Sequence, residues 1–222
     1  MIARRGEEGW NITSPTSTGS STSGVSSRRF TSTLHQKRRR RISKKAKEIL
    51  EHLQEGFTVV ALDETFFYYD SLIRKVAGKR PVAKVTGSHK HSCVIGALSI
   101  DGRQLFRQYE HFDGEAFKDF LRFVHYKFPR CYLFLDRARQ HYKDERVQCY
   151  FEGRKDSLIP VWQPTAFPEF MPLEECWNIS KDDLLVQFNY SSYHEFKVKV
   201  GEYFRTKRFN LDIKKYLVGE VG

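Results

Sequence analysis

From residue 57 onward, runs of strand-forming residues alternate with stretches whose apolar positions recur every three or four residues. FTVVAL (57–62) has the continuous apolar character of a buried strand. SLIRKVAGKRPVAKV (71–85) offers two shorter runs around a turn at Gly78 to Pro81, and SCVIGALSIDGRQLFRQYEHF (92–112) reads as a hairpin through Asp101 and Gly102. Asp113 suits the N-cap of a helix whose Phe117, Phe120, Leu121, Val124 and Phe128 line one face. CYLFLD (131–136) is a second buried strand, followed by a short helix over 145–151, a strand in LIPVWQP (158–164) and a helix opening near Pro172. Ser192 and Glu195 form a capping box for a last helix through about Phe204. This order, antiparallel strands first and alternating helices and strands afterwards, predicts an α/β fold with a mixed sheet and helices on its faces.

The first third of the chain is patterned differently. Residues 11–33 are mostly Ser, Thr and Gly, which bury too little apolar surface to offset the entropy of ordering, so a disordered arm is expected over 1–34. Ile42, Ala46, Ile49, Leu50 and Leu53 then recur at helical spacing before Gly56, which predicts a basic helix over 35–55. The expected core domain is 56–188, with a helical extension over 189–222.

Charge sharpens this division. Of 38 Lys and Arg and 27 acids, residues 1–50 hold twelve bases and three acids, a balance of +9; the remainder has 38 − 12 = 26 bases and 27 − 3 = 24 acids, or +2. A basic arm on a balanced globule suits a polyanion, because each neutralised phosphate releases counterions. A solvated charge run that keeps a tail soluble explains it equally well. The candidates for phosphate contact are Arg38, Arg39, Arg40, Arg41, Lys44 and Lys45. No stretch reaches the ~18 apolar residues of a membrane span, and the first ten residues lack the apolar core of a secretory signal. Cys93, Cys131, Cys149 and Cys176 show no CxxC pair and read as buried thiols.

Three acids stand where chemistry is expected. Asp63 and Asp136 each end an apolar strand run, and Glu174 follows Pro172 in the first turn of a helix whose Leu173, Cys176, Trp177, Ser180 and Leu184 form the buried stripe. Their hard oxygen donors suit magnesium or manganese rather than zinc. Two such ions ~3.5–4 Å apart would activate water against a phosphodiester and stabilise the leaving oxygen. Singly, each acid is also explained as a turn residue or a favourable N-terminal helix charge. Glu64 and Glu175 are neighbours of second rank: a period of two sends Glu64 to the other sheet face, and Glu175 lies about 100° further round its helix.

These blocks resemble those of the DDE transposases of mariner-like insertion sequences. VVALDET with Asp63 corresponds to a strand ending in Asp-Glu. LFLDRARQH with Asp136 and His141 corresponds to D-N-A-R-x-H, and QPTAFPEFMPLEECW with Glu174 and Trp177 to P-P-Y-S-P-x-L-N-P-I-E-x-x-W. The resemblance covers about residues 56–188. Three positions depart from it: Arg137 replaces an Asn, Phe167 a Ser, and Met171 the Asn that would cap the helix bearing Glu174. The family's N-terminal helix-turn-helix modules have no counterpart in 1–55, which reads as truncated or degenerate.

The resemblance implies a ribonuclease H-like fold, with Asp63, Asp136 and Glu174 as catalytic residues that hold two Mg2+ or Mn2+ ions. It implies cleavage of double-stranded DNA at element ends, strand transfer into target DNA, and a homodimer that holds two ends together. Lys79, Arg80, Lys84, His89, Lys90 and His141 are further candidates for nucleic-acid contact, although a buried hydrogen-bonded role also accounts for His141. The setting implied is a prokaryotic cytoplasm, with the protein on the nucleoid and away from membranes. Two alternatives stay open: a catalytically inactive DNA-binding remnant, and a stand-alone ribonuclease H-like nuclease.

Overall fold

The computed structural model of the protein describes residues 24–69, 89–164, 167–186 and 190–220. The two strand runs expected within 71–85 lie outside the described residues, as do Lys79, Arg80 and Lys84. Contacts divide the chain into a unit ending at Arg38 and a compact unit, Arg39–Gly222, that contains the sheet.

Helix α1 (Gly24–Glu51) is followed by β1 (Thr58–Tyr68), β2 (His91–Ser99) and β3 (Gln104–Tyr109). Then come α2 (Gly114–Lys127), β4 (Cys131–Leu135), α3 (Arg139–Tyr142), α4 (Glu145–Glu152) and β5 (Leu158–Trp162). Helices α5 (Pro172–Leu185), α6 (Tyr193–Thr206) and α7 (Ile213–Val218) complete the order. The sheet runs β3-β2-β1-β4-β5, antiparallel from β3 to β1 and parallel from β1 to β5. This is the mixed sheet of a ribonuclease H-like fold. Among the described residues, no helix is long and apolar enough to cross a membrane.

Because successive strand residues point to opposite faces, the central strand feeds two cores. Val59, Ala61 and Phe67 join Phe134, Val161, Leu173, Trp177 and Phe196 on the face covered by α5 and α6. Val60 and Leu62 join Phe117, Phe120, Leu121, Val124 and Leu133 on the face covered by α2 and α4. The expected stripe of α2 is fully buried, and Asp113 caps it by accepting from the Ala116 N–H at 2.9 Å. The β2–β3 turn passes through Gly102 at φ +83°, a conformation in which a side chain is strained. Ser192 caps α6 as expected, although Glu195 reaches back to the N–H and hydroxyl of Ser191.

Three expectations are corrected. Helix α1 begins at Gly24 rather than 35, so residues 24–34 are helical and not a disordered arm. Ile42 and Ala46 are buried, and a helix nucleated by such packing extends through Ser and Thr at only a few tenths of a kcal/mol per residue. Strand β1 does not stop at Asp63; it runs on to Tyr68, because antiparallel pairing with β2 continues to Tyr68↔His91 after the parallel pairing with β4 has ended at Ala61↔Phe134. Cys149 is exposed, since Val147, Tyr150 and Phe151 turn the other side of α4 inward; the other three thiols are buried.

Phe120→Ala should lower stability by about 3–5 kcal/mol, since its ring is fully buried. Tyr126→Ala, on the same helix but 88% exposed, should shift it by less than about 0.5 kcal/mol; urea unfolding of the two variants checks the contrast.

Candidate active site

Two residues beyond the last paired positions of β1 and β4, Ala61 and Phe134, stand Asp63 and Asp136. The parallel pairing has ended there, and the carboxyl ends of parallel strands are where sites form in α/β sheets. Helix α5 enters at this end of the sheet, with Pro172 at its first turn and Glu174 exposed beside it.

Asp63 lies on the α5 face. The indole N–H of Trp177 donates to its Oδ2 at 2.8 Å. Burial raises the Asp63 carboxyl, the neighbouring Glu64 charge raises it further, the indole bond opposes them, and the Glu174 charge adds to the rise; the result is about 8. Asp63 therefore holds a proton at neutral pH unless a cation displaces it. Glu175, by contrast, acts on Tyr216 of α7, whose hydroxyl is raised by burial and then by that charge.

Glu64 points to the α2 face, as the alternation requires, and meets His141. That imidazole is 1% exposed and stacks on Phe117 with ring centroids 4.1 Å apart. Its Nδ1 lies 2.8 Å from Asp136 Oδ1, and its Nε2 lies 3.3 Å from Glu64 Oε2 as an ion pair without hydrogen-bond geometry. Burial alone would depress the imidazole, but the two carboxylates outweigh it and push it up to about 9. Burial likewise opposes ionisation of Asp136, but the His141 ring and the Ala138 N–H, 2.9 Å from Oδ1, hold its carboxyl below the usual value. His141 is thus enclosed and is corrected as a phosphate contact; the buried hydrogen-bonded role is the one it occupies.

Arg38, Arg39, Arg40, Arg41, Lys44 and Lys45 are all exposed on α1, and Lys90 is exposed just before β2. Arg39 pairs with Glu169 at 3.2 Å, and Lys44 with Glu48 at 3.6 Å. Among the described residues, no three His, Cys, Asp or Glu side chains converge closely enough to hold a metal ion. The donor chemistry nevertheless fits a divalent cation: Asp63 is raised by two further acids, a field that a cation relieves. Sequence reasoning identified the acids but not the Trp177 bond or the Glu64–His141–Asp136 chain. The period of two and the shared LDRARQH block carried part of that signal; the distances did not.

The family model for the DDE superfamily endonuclease matches residues 58–197. A comparison with curated protein sequences gives no match. Among solved structures, the fold is similar to the Mos1 transposase paired-end complex with left transposon end, at TM-score 0.60 and 15% identity, covering 82% of this chain and 58% of that one. It is also similar to the Mos1 mariner paired end complex with Mn, at TM-score 0.55 and 16% identity, covering 82% and 59%. A third is the pre-cleavage Mos1 transpososome, at TM-score 0.57 and 16% identity, covering 82% and 57%. The chain thus spans less than two thirds of the length of these structures.

Asp63→Asn should stabilise the metal-free protein. The folded-state value of about 8 lies above the ordinary 3.8, so the native state keeps a proton that the unfolded chain releases, and stability falls as pH rises between the two. The Tm gain of the variant, read by calorimetry with chelator present, should grow across that window by about 2–4 °C for each kcal/mol and level off above it. His141→Ala should cost about 3–5 kcal/mol by urea unfolding, because it leaves the buried Glu64 carboxylate without its partner.

Proposed function

The chain belongs to the DDE superfamily of endonucleases, and on that premise we propose that it cuts double-stranded DNA in a metal-dependent reaction and joins the cut end to a target strand. The observation that carries this reading is the placement of the acids: Asp63 and Asp136 each stand two residues beyond the point where the parallel pairing of β1 and β4 ends, and Glu174 is near enough to act on the Asp63 carboxyl. Asp63, Asp136 and Glu174 are the proposed holders of Mg2+ or Mn2+. When bound, the metal would supply Lewis acidity to the scissile phosphate.

The chain's own residues prepare that state. Positive charge that offsets its neighbours would favour release of the Asp63 proton. His141 retains its proton at neutral pH, and with it holds Asp136 ionised and oriented. Trp177 orients the Asp63 carboxyl through its Oδ2. Glu174, exposed at the start of α5, can move toward the two aspartates at the cost of a side-chain rotation.

The exposed cations of α1 and Lys90 are proposed to hold the DNA backbone by charge, a contact that positions without reading sequence. The strand-transfer step is supported by the likeness to Mos1 structures described as a paired-end complex and a strand transfer complex; a homodimer on DNA is proposed because two ends must be held together. A second reading, a DNA-binding remnant without catalysis, is favoured by two observations: among the described residues no three such side chains are grouped closely enough to hold a metal ion, and α5 lacks a side-chain cap at Met171.

Incubation with supercoiled DNA and Mn2+ separates the readings. The unaltered protein should give nicked circles, and Asp136→Asn should reduce the rate about 100-fold or more. No cutting sinks the endonuclease reading in favour of the remnant; cutting that survives the substitution sinks the site assignment. Hydrolysed ends without joined products leave a simple nuclease.

A further inference from the structure

The contact between Trp177 and Asp63 depends on a residue that carries no side chain. Across the β1–β2 ladder Asp63 is paired with Gly96. The space beside Gly96 is filled from α5 and β3: a Cβ there would lie 2.6 Å from Phe106 Cε1 and 2.7 Å from both Leu173 Cδ2 and Trp177 Cη2. Real Cβ contacts are never so short, so any side chain at 96 must push these groups away. The indole is only 2% exposed and is held edge-on by Phe106 and Phe204, with centroids 5.8 and 5.9 Å away. Displacing it would strain these ring contacts and its N–H bond to Asp63.

We infer that Gly96 and Trp177 act together as a positioning device for Asp63: the glycine admits the indole against the strand, and the indole N–H fixes Oδ2 so that Oδ1 is the oxygen offered to a divalent cation. The inference rests on the proposed metal-dependent reading and adds to it two residues outside the three acids. An indole N–H is a donor only, so it orients a carboxylate without competing for the metal. A buried donor held by packing lowers the freedom of the ligand before binding, which is how outer contacts of metal ligands raise affinity. The geometry also explains why α5 must dock closely at this end of the sheet. Leu173 and Trp177, on one face of the helix, enclose the Gly96 position from the same side.

The chain has three tryptophans, so a nitrogen-15 correlation spectrum resolves the device without any metal or DNA. Trp177→Phe identifies the Trp177 indole resonance by removing it. In Asp63→Ala that resonance should move further than the other two, and its N–H should exchange faster with solvent. Binding of Mn2+, counted by electron paramagnetic resonance, should weaken about 10–100-fold in Trp177→Phe, and in the same direction in Gly96→Ala. In an Asp63→Ala background, Trp177→Phe should produce no further loss.

An indole resonance indifferent to Asp63→Ala overturns the inference, as does a loss of Mn2+ binding that adds in full to that of Asp63→Ala. Should Trp177→Phe fail to fold, the spectrum of Asp63→Ala and the binding by Gly96→Ala decide between the same outcomes. A protein that shows both the spectral response and the coupled loss, yet cuts no DNA, retains the positioning device and loses the endonuclease reading.

Discussion

Alternation along β1 is the constraint on which the site depends. It sends adjacent acids, Asp63 and Glu64, to opposite faces of the central strand, where burying either one unpartnered would be costly. Each is answered by a different part of the chain: Trp177 of α5 on one face and His141 of α3 on the other. These two contacts tie the helix bearing Glu174 and the loop bearing Asp136 to a single strand. The three acids are therefore brought toward one end of the sheet by the partners of their neighbours, rather than by attraction among themselves.

The same constraint accounts for the electrostatics. On the α2 face, the protonated imidazole between Glu64 and Asp136 offsets negative charge, and Asp136 stays ionised. On the α5 face, burial and two acids outweigh the Trp177 indole and a backbone hydrogen bond at Glu64, and the Asp63 carboxyl is raised. The asymmetry divides this end of the sheet into a half whose charge is balanced from within the protein and a half, around Asp63, where it is not.

Departures from the family pattern make sense as packing. Phe167 and Met171, where a Ser and a capping Asn were expected, are both buried: Phe167 lies with Ile42 and Phe170, and Met171 within the α5-side core. Burying such a side chain contributes about 1.5–3 kcal/mol, whereas a helix cap contributes about 1 kcal/mol. Helix α5 thus starts without a side-chain cap but is anchored by Pro172, Leu173 and the residues before it. The polar motif has been exchanged for apolar fixing of the same helix start.

Local pattern was enough to determine most elements. The stripe of α2, its Asp113 cap, the hairpin through Gly102 and the buried face of α5 all follow from short-range spacing, because each depends on residues within a few positions of one another. The identities and order of the three acids were legible for the same reason. Where β1 ended was not, since pairing with β2 supplies hydrogen bonds past Asp63 that no local residue announces. Nor could spacing reveal that Gly96 opposes Asp63, that Trp177 fills the space so left, or that His141 joins Asp136 to Glu64. Those facts depend on residues 33, 114 and 77 positions apart (96 − 63, 177 − 63 and 141 − 64), and register and packing alone bring such distant residues together.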